Sequence, residues 1–434
     1  MDKQKKIANI ISYEKYIIDN NINSIEDINE KLENDGNKND IHLLKVCSQI
    51  IMSLQNNKNK KYDLYNDGEL LSSRDIAILI KEYDDDEFKR IEDNFNKIRA
   101  IKSPEQRSPE WFELRKSGIT ASDGGCALGL NKYEAQYKFI YNKIFGKPFE
   151  TGEACYWGKK YETAVALTYS LLNNCIVEDF GILTHPKYDF IKASPDGIVR
   201  PYRLDGTKSN IPSRMLEIKC IVSRTLNFDG DIYDFICPKY YHIQTALQMQ
   251  VTDIAECDFA QYKIEQYDNK IEWDEDTSEE CYYKSKKYGI ERGVLIEILP
   301  RQLEEKDYVN GYIKLQTVYD KAVSIYPPKI DLTPEEMETW IDNEKIRLEM
   351  DKDFMINKIF YYRIVDRNCT LIVKNDKWFS DNLETLDKIW KSVEFLRENP
   401  KKADQWKIFI NNQTRKNNIT IMKKLEEITG IVVK

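Results

Sequence analysis

The chain has 434 residues, a hydrophobic fraction of 41%, and 27 Tyr and 16 Phe, which is enough to bury a sizeable core and excludes wholesale disorder. Its net charge of -8 excludes indiscriminate electrostatic wrapping of nucleic acid, so any nucleic-acid chemistry requires a local basic groove. The sequence holds no apolar run of about 18 residues, and the N-terminus has no signal-peptide apolar core; the expectation is an intracellular, cytoplasmic protein without a membrane partner. Nine cysteines without a CxxC pair read as reduced thiols, and three scattered histidines give no zinc or iron–sulfur ligand set.

At about 100 to 200 residues per domain, the length suggests two or three folded units. Residues 1–103 are expected to form a helical N-terminal region, from the apolar spacing of Ile25, Ile28 and Leu32, and of Ile76, Leu79 and Ile80, behind the candidate caps Ser24 and Ser73. Pro104 and Pro109 mark an extended linker. From 104 to 330 the pattern becomes mixed α/β. Helices are expected over 111–116, 133–144, 155–172 and 238–252, and strands over about 176–184, 190–200, 214–221, 255–265 and 292–299. Eight acidic residues between Glu265 and Glu280 suggest a solvated hairpin. Residues 331–434 return to helical periodicity over 332–350 and 380–396. Their last 34 residues hold eight Lys/Arg against three Asp/Glu, the composition of a solvated helix face.

Candidate chemistry sits in the central stretch. Asp196 lies at the turn Ser194-Pro195-Asp196-Gly197, ahead of a β-branched strand. About twenty residues later comes Leu216-Glu217-Ile218-Lys219-Cys220. Strand alternation puts Glu217 and Lys219 on one face and Leu216, Ile218 and Cys220 on the other. Two carboxylates from adjacent strands suit a hard divalent cation, and a neighbouring ammonium can position an attacking water or offset charge on phosphate oxygens. An isolated Glu-x-Lys triplet is ordinary on an exposed strand. The joint order of a helical Glu162, a Pro-Asp turn and Glu-x-Lys is the order of the PD-(D/E)xK nuclease site. Gly152 to Lys159 looks like a P-loop only superficially, because Lys160 stands where Ser/Thr is required.

These motifs, together with Trp111-Phe112-Glu113-Leu114-Arg115, Gly118-Ile119-Thr120-Ala121-Ser122, Trp157-Gly158-Lys159-Lys160-Tyr161-Glu162, and Tyr241 with Gln244, resemble the lambda exonuclease and YqaJ-type viral recombinase family over roughly 104–300. The resemblance implies an α/β, restriction-endonuclease-like core with a mixed β-sheet flanked by helices. It implies a Mg²⁺-dependent exonuclease, with Mn²⁺ as a substitute and two ions per site, that digests one strand of linear double-stranded DNA from the 5′ end. Asp196, Glu217 and the Ile218 carbonyl would bind metal, Lys219 would activate water, and Glu162 and Gln244 would support the catalytic site. Where the family has a further glutamine the chain has Ala246, and Gln248, one turn after Gln244, is its candidate substitute. Arg115, Ser122 and Ser194 would hold the terminal 5′-phosphate. Implied partners are DNA ends, a single-strand annealing protein and, in some members, a homotrimeric ring, and the implied setting is a virus-encoded protein in a host cell. Two other readings use the same residues: an endonuclease on DNA or RNA, and a non-catalytic DNA-binding scaffold.

Overall fold

The computed structural model describes residues 24–35, 83–104, 108–146, 151–227 and 232–433, with isolated positions before residue 48. The expected cap at Ser73 and the apolar positions Ile76, Leu79 and Ile80 lie outside the described residues. Helix α1 (Ile25–Asn34) starts where Ser24 accepts from the Asp27 amide, and α2 (Asp85–Arg99) starts behind Asp84. Helix α3 (Pro109–Lys116) follows the Ser108 cap with proline in its first turn, where the missing N–H costs nothing. Then come β1 (Ile119–Thr120), α4 (Gly124–Ala127), α5 (Gln136–Phe145) and the long α6 (Glu153–Asn173). Helix α6 buries Tyr161, Ala164, Val165 and Thr168 at helical spacing.

The next strands are β2 (Val177–Glu178), β3 (Leu183–Thr184), β4 (Ile191–Ala193), β5 (Gly197–Val199) and β6 (Met215–Ile221). The single strands expected over 176–184 and 190–200 are each split between two sheets. β1, β4 and β3 make a small three-stranded sheet, whereas β5 and β2 form one end of the large one. The break at Ser194-Pro195-Asp196 has a simple cause, since Pro195 has no N–H with which to continue a ladder. Gly197, just after it, lies so close to β2 that a Cβ would come within 2.3 Å of Val177.

Helix α7 (Lys239–Thr252) leads to β7 (Glu256–Gln266), α8 (Lys270–Glu275) and β8 (Arg292–Pro300). The acidic stretch expected as a hairpin therefore carries a helix. Trp273 in α8 is buried, with the Arg292 guanidinium 3.7 Å from its ring. The hairpin β9 (Tyr308–Val309) and β10 (Tyr312–Ile313), α9 (Leu315–Lys321), β11 (Val323–Ile325) and α10 (Pro334–Met350) follow. The chain then forms β12 (Phe354–Val373), a 20-residue strand, before α11 (Asp376–Glu398), α12 (Pro400–Asn411) and α13 (Asn418–Thr429).

β12 corrects the expected boundary at residue 330 and the expectation of a purely helical 331–434. The seven-stranded sheet has the order β11-β8-β12-β7-β6-β5-β2, with β6 and β7 parallel. β12 pairs with β8 through its first half and with β7 along its second, so it joins β8 and β11 to the strands that carry the candidate site. Helix α6 covers one face of the sheet at Leu216, Ile218, Ala260 and Tyr262. The other face, with Met215, Cys257 and Phe259, packs on α7 and on a layer of α4, α5 and α11 to α13 built from Leu247, Ile140, Leu386, Trp406 and Leu425. No helix among the described residues is long and apolar enough to cross a membrane.

Candidate active site

β5 pairs with β6 only at Gly197–Leu216 and Ile198–Met215. Beyond that point the strands diverge, and Asp196 spans the opening: its Oδ2 accepts from the Ile218 amide at 2.7 Å. Because the N–H and C=O of one strand residue point to the same side, the Ile218 carbonyl also faces this fork. The expected alternation places Glu217 and Lys219 together on the face covered by α7. Glu217 is fully buried, and its two oxygens meet three donors: Lys219 Nζ and Gln244 Nε2 (2.6 Å) at Oε1, and Gln248 Nε2 (2.7 Å) at Oε2. Gln248 also donates to the Ser194 carbonyl at 3.2 Å, tying α7 to the Asp196 turn. Gln244 and Gln248, one turn apart, thus act on the same carboxylate.

Gln248→Leu leaves Glu217 Oε2 buried without that donor. The expected cost is about 1–3 kcal/mol of stability, measured in urea melts, with lower turnover from a displaced carboxylate.

On the far side of the fork, Glu162 from α6 joins Asp196, Asp179 and Ser194 in lining a cleft of ≈ 430 Å³. Burial, then the charges of Glu217 and Glu162, push the Asp196 carboxyl well above its usual range. Burial opposes the charge on Lys219, but the Glu217 and Asp196 carboxylates outweigh it and hold the ammonium above its ordinary pKa. Three carboxylates at Asp196, Glu217 and Glu162 therefore act against one ammonium. Such an excess of negative charge, with Glu217 fully buried and Asp196 and Glu162 half-buried, fits a divalent cation. Among the described residues no three His, Cys, Asp or Glu side chains converge as a ready-made metal cluster. An all-oxygen set of the Asp196 and Glu217 carboxylates with the Ile218 carbonyl could hold a hard cation such as Mg²⁺ and would leave positions for water.

A second constellation lies around the C-terminal ends of α3 and α5. Arg115 Nη2 reaches Ser122 Oγ at 3.4 Å, and the guanidinium lies 4.7 Å from the Trp111 ring. Thr120 contacts Ser122 (3.1 Å) and donates to Asp123 (2.7 Å). Lys143 pairs with Asp123 (3.0 Å) and donates to the Arg115 carbonyl (2.7 Å). Arg397 of α11 donates to the Lys116 and Lys143 carbonyls at 2.9 and 2.7 Å, capping both helices. Sequence reasoning missed Lys143, Asp123 and Arg397, because their partners are distant along the chain and no spacing rule links them. Ser194, expected with Arg115 and Ser122, lines the cleft instead. Its hydroxyl donates to the Phe180 carbonyl at 3.4 Å, and no hydrogen bond among the described residues joins it to either.

An uncharacterized protein of Acanthamoeba polyphaga mimivirus is 33% identical over 334 residues, covering 76% of this chain and 60% of that protein. The uncharacterized protein YqaJ of Bacillus subtilis is 33% identical over 101 residues, 23% of this chain and 32% of its own. The chain thus spans at most 60% of these relatives' lengths. The crystal structure of an alkaline exonuclease, LHK-Exo, from Laribacter hongkongensis is 16% identical and covers 69% of this chain and 98% of its own, with a TM-score of 0.35. The family model described as the YqaJ-like viral recombinase domain matches residues 110–255, so the centre of this chain is similar to that domain over the stretch that contributes Arg115, Ser122, Glu162, Asp196, Glu217, Lys219, Gln244 and Gln248.

Proposed function

We propose that this protein is a Mg²⁺-dependent nuclease that hydrolyses one strand of linear duplex DNA from its 5′ end. The observation that carries the reading is the convergence of Asp196, Glu217 and Lys219 at the fork between β5 and β6, with Glu162 across the cleft. Asp196, Glu217 and the Ile218 carbonyl would hold the metal, which when bound polarises the phosphate and lowers the pKa of a coordinated water. Lys219, held as an ammonium, donates hydrogen bonds to the attacking water and to phosphate oxygens as their charge grows. Gln244 and Gln248 each donate to one oxygen of Glu217 and so hold its carboxylate in one orientation. Arg115 and Ser122 supply a guanidinium fork and a hydroxyl for a terminal phosphate, and Trp111 restrains the guanidinium.

With Mg²⁺, the purified protein is expected to degrade linear duplex DNA and spare closed circles; equal cleavage of both would refute end-directed action. Ends bearing a 5′-phosphate should be preferred to 5′-hydroxyl ends. Arg115→Ala should reduce that preference by about 10- to 100-fold, the worth of a hydrogen bond to a charged group, while leaving the fold intact. Indifference of the wild type to the phosphate would favour an endonuclease on the same core.

A further inference from the structure

A line of aromatic rings runs outward from Lys219. The Lys219 ammonium lies 4.6 Å from the Tyr241 ring, Tyr241 and Tyr240 have centroids 4.3 Å apart, and Tyr240 and Tyr133 meet edge to face at 5.6 Å. The first two rings are half-buried, but Tyr133 is 72% exposed. A single exposed tyrosine is unremarkable in a folded protein. Here the surroundings hold the ring in place. Asn131 accepts from the Tyr133 amide at 2.8 Å and donates to Cys126 Sγ at 3.1 Å, which fixes the loop that carries it. Gly125 lets α4 approach Tyr240 so closely that a Cβ would lie 2.9 Å from the tyrosine Cβ.

The charge around Tyr133 is positive. Lys132 Nζ lies 5.0 Å from its ring, and Lys132, then Tyr240 and Arg224 pull its hydroxyl below the ordinary tyrosine pKa. Glu134, the adjacent acid, is turned to Asn142, whose amide it accepts at 2.9 Å. An exposed aromatic face with cations beside it, continuous with a candidate phosphodiester-cleaving site, matches unpaired nucleotides: bases stack on rings, and the backbone meets Lys132. In a duplex those base faces are already occupied by their neighbours.

We propose that Tyr133, backed by Tyr240 and Tyr241, is a stacking platform for an unpaired strand next to the site; the proposal rests on nucleic acid as substrate. The test is fluorescence anisotropy of labelled oligothymidylate and of a blunt duplex, with the 434-residue chain in EDTA so that nothing is cut. Tyr133→Ala should weaken oligothymidylate binding about tenfold with duplex binding unchanged, and Tyr133→Phe and Tyr133→Trp should retain it. Thermal melts of each variant check the fold, which an exposed ring should not affect. Unchanged single-strand affinity in Tyr133→Ala, an equal loss for the duplex, or a Phe variant as weak as the Ala variant would overturn the platform, as would a wild type that does not bind oligothymidylate. Single-strand binding that needs the ring, in a protein that cuts nothing with Mg²⁺, would leave the platform standing and reject the nuclease reading.

Discussion

Asp196→Asn is expected to lower turnover sharply and at the same time to stabilise the metal-free protein. The carboxyl is held at the fork beside Glu217 and Glu162, and burial together with those charges disfavours its ionised form. An asparagine oxygen can still accept from the Ile218 amide, so the turn is kept while the repulsion is removed. Loss of one metal-holding carboxylate should lower turnover by about 10²-fold or more. Thermal melts in EDTA should show a midpoint raised by about 2 °C. The pH dependence has a definite sign. A folded pKa raised above the unfolded one means that the native state keeps a proton the unfolded chain has given up. The corresponding stability is fully present below the ordinary aspartate range and is lost as pH rises through the raised value. Melting the wild type in EDTA between about pH 4 and about pH 8 should therefore show a decline that Asp196→Asn reduces. Mg²⁺ should stabilise the wild type, by about 2.7 kcal/mol at a hundredfold excess over its Kd, and have little effect on the variant.

Truncation after residue 330, where the sequence pattern suggests that the central domain ends, is expected to destroy the fold. It deletes β12, leaving the β7 backbone unpaired on one side and detaching β8 and β11. It also removes α11 to α13, whose Leu386, Trp390, Trp406 and Leu425 cover the layer over α5 and α7. Each buried side chain of this size contributes about 1.5–3 kcal/mol, and Phe379, Ile389, Val393, Leu396, Ile410 and Ile421 are lost with them, so the total outweighs the roughly 5–15 kcal/mol by which typical domains are stable. The truncated chain should be insoluble or lack a cooperative thermal transition. A soluble, cooperatively melting fragment 1–330 would contradict the placement of β12.

The site was legible where the rules are local. Pro195 and Gly197 announce the turn that presents Asp196, period-two alternation puts Glu217 beside Lys219, and helical spacing brings Gln244 and Gln248 to one face. β12 was not legible because its register shifts twice, between Ile356 and Lys358 and between Ile364 and Asp366. Each shift reverses which side chains face which layer. Phe360, Tyr362 and Ile364 share a core with Cys369, an odd position, so no single alternation runs through the strand. The acidic residues from Glu265 to Glu280 hid α8, whose position depends on Trp273 packing under Arg292 from β8. The cradle of Arg115 was half visible: Ser122 follows it closely, but Lys143 and Arg397 reach it only through tertiary packing.

Anomalous diffraction from crystals soaked in Mn²⁺ tests whether the β5–β6 fork is a divalent-metal centre. A peak bounded by Asp196, Glu217 and the Ile218 carbonyl, absent from Asp196→Asn crystals, is the expected result. A well-diffracting wild-type crystal with Mn²⁺ bound elsewhere and none at the fork would contradict it.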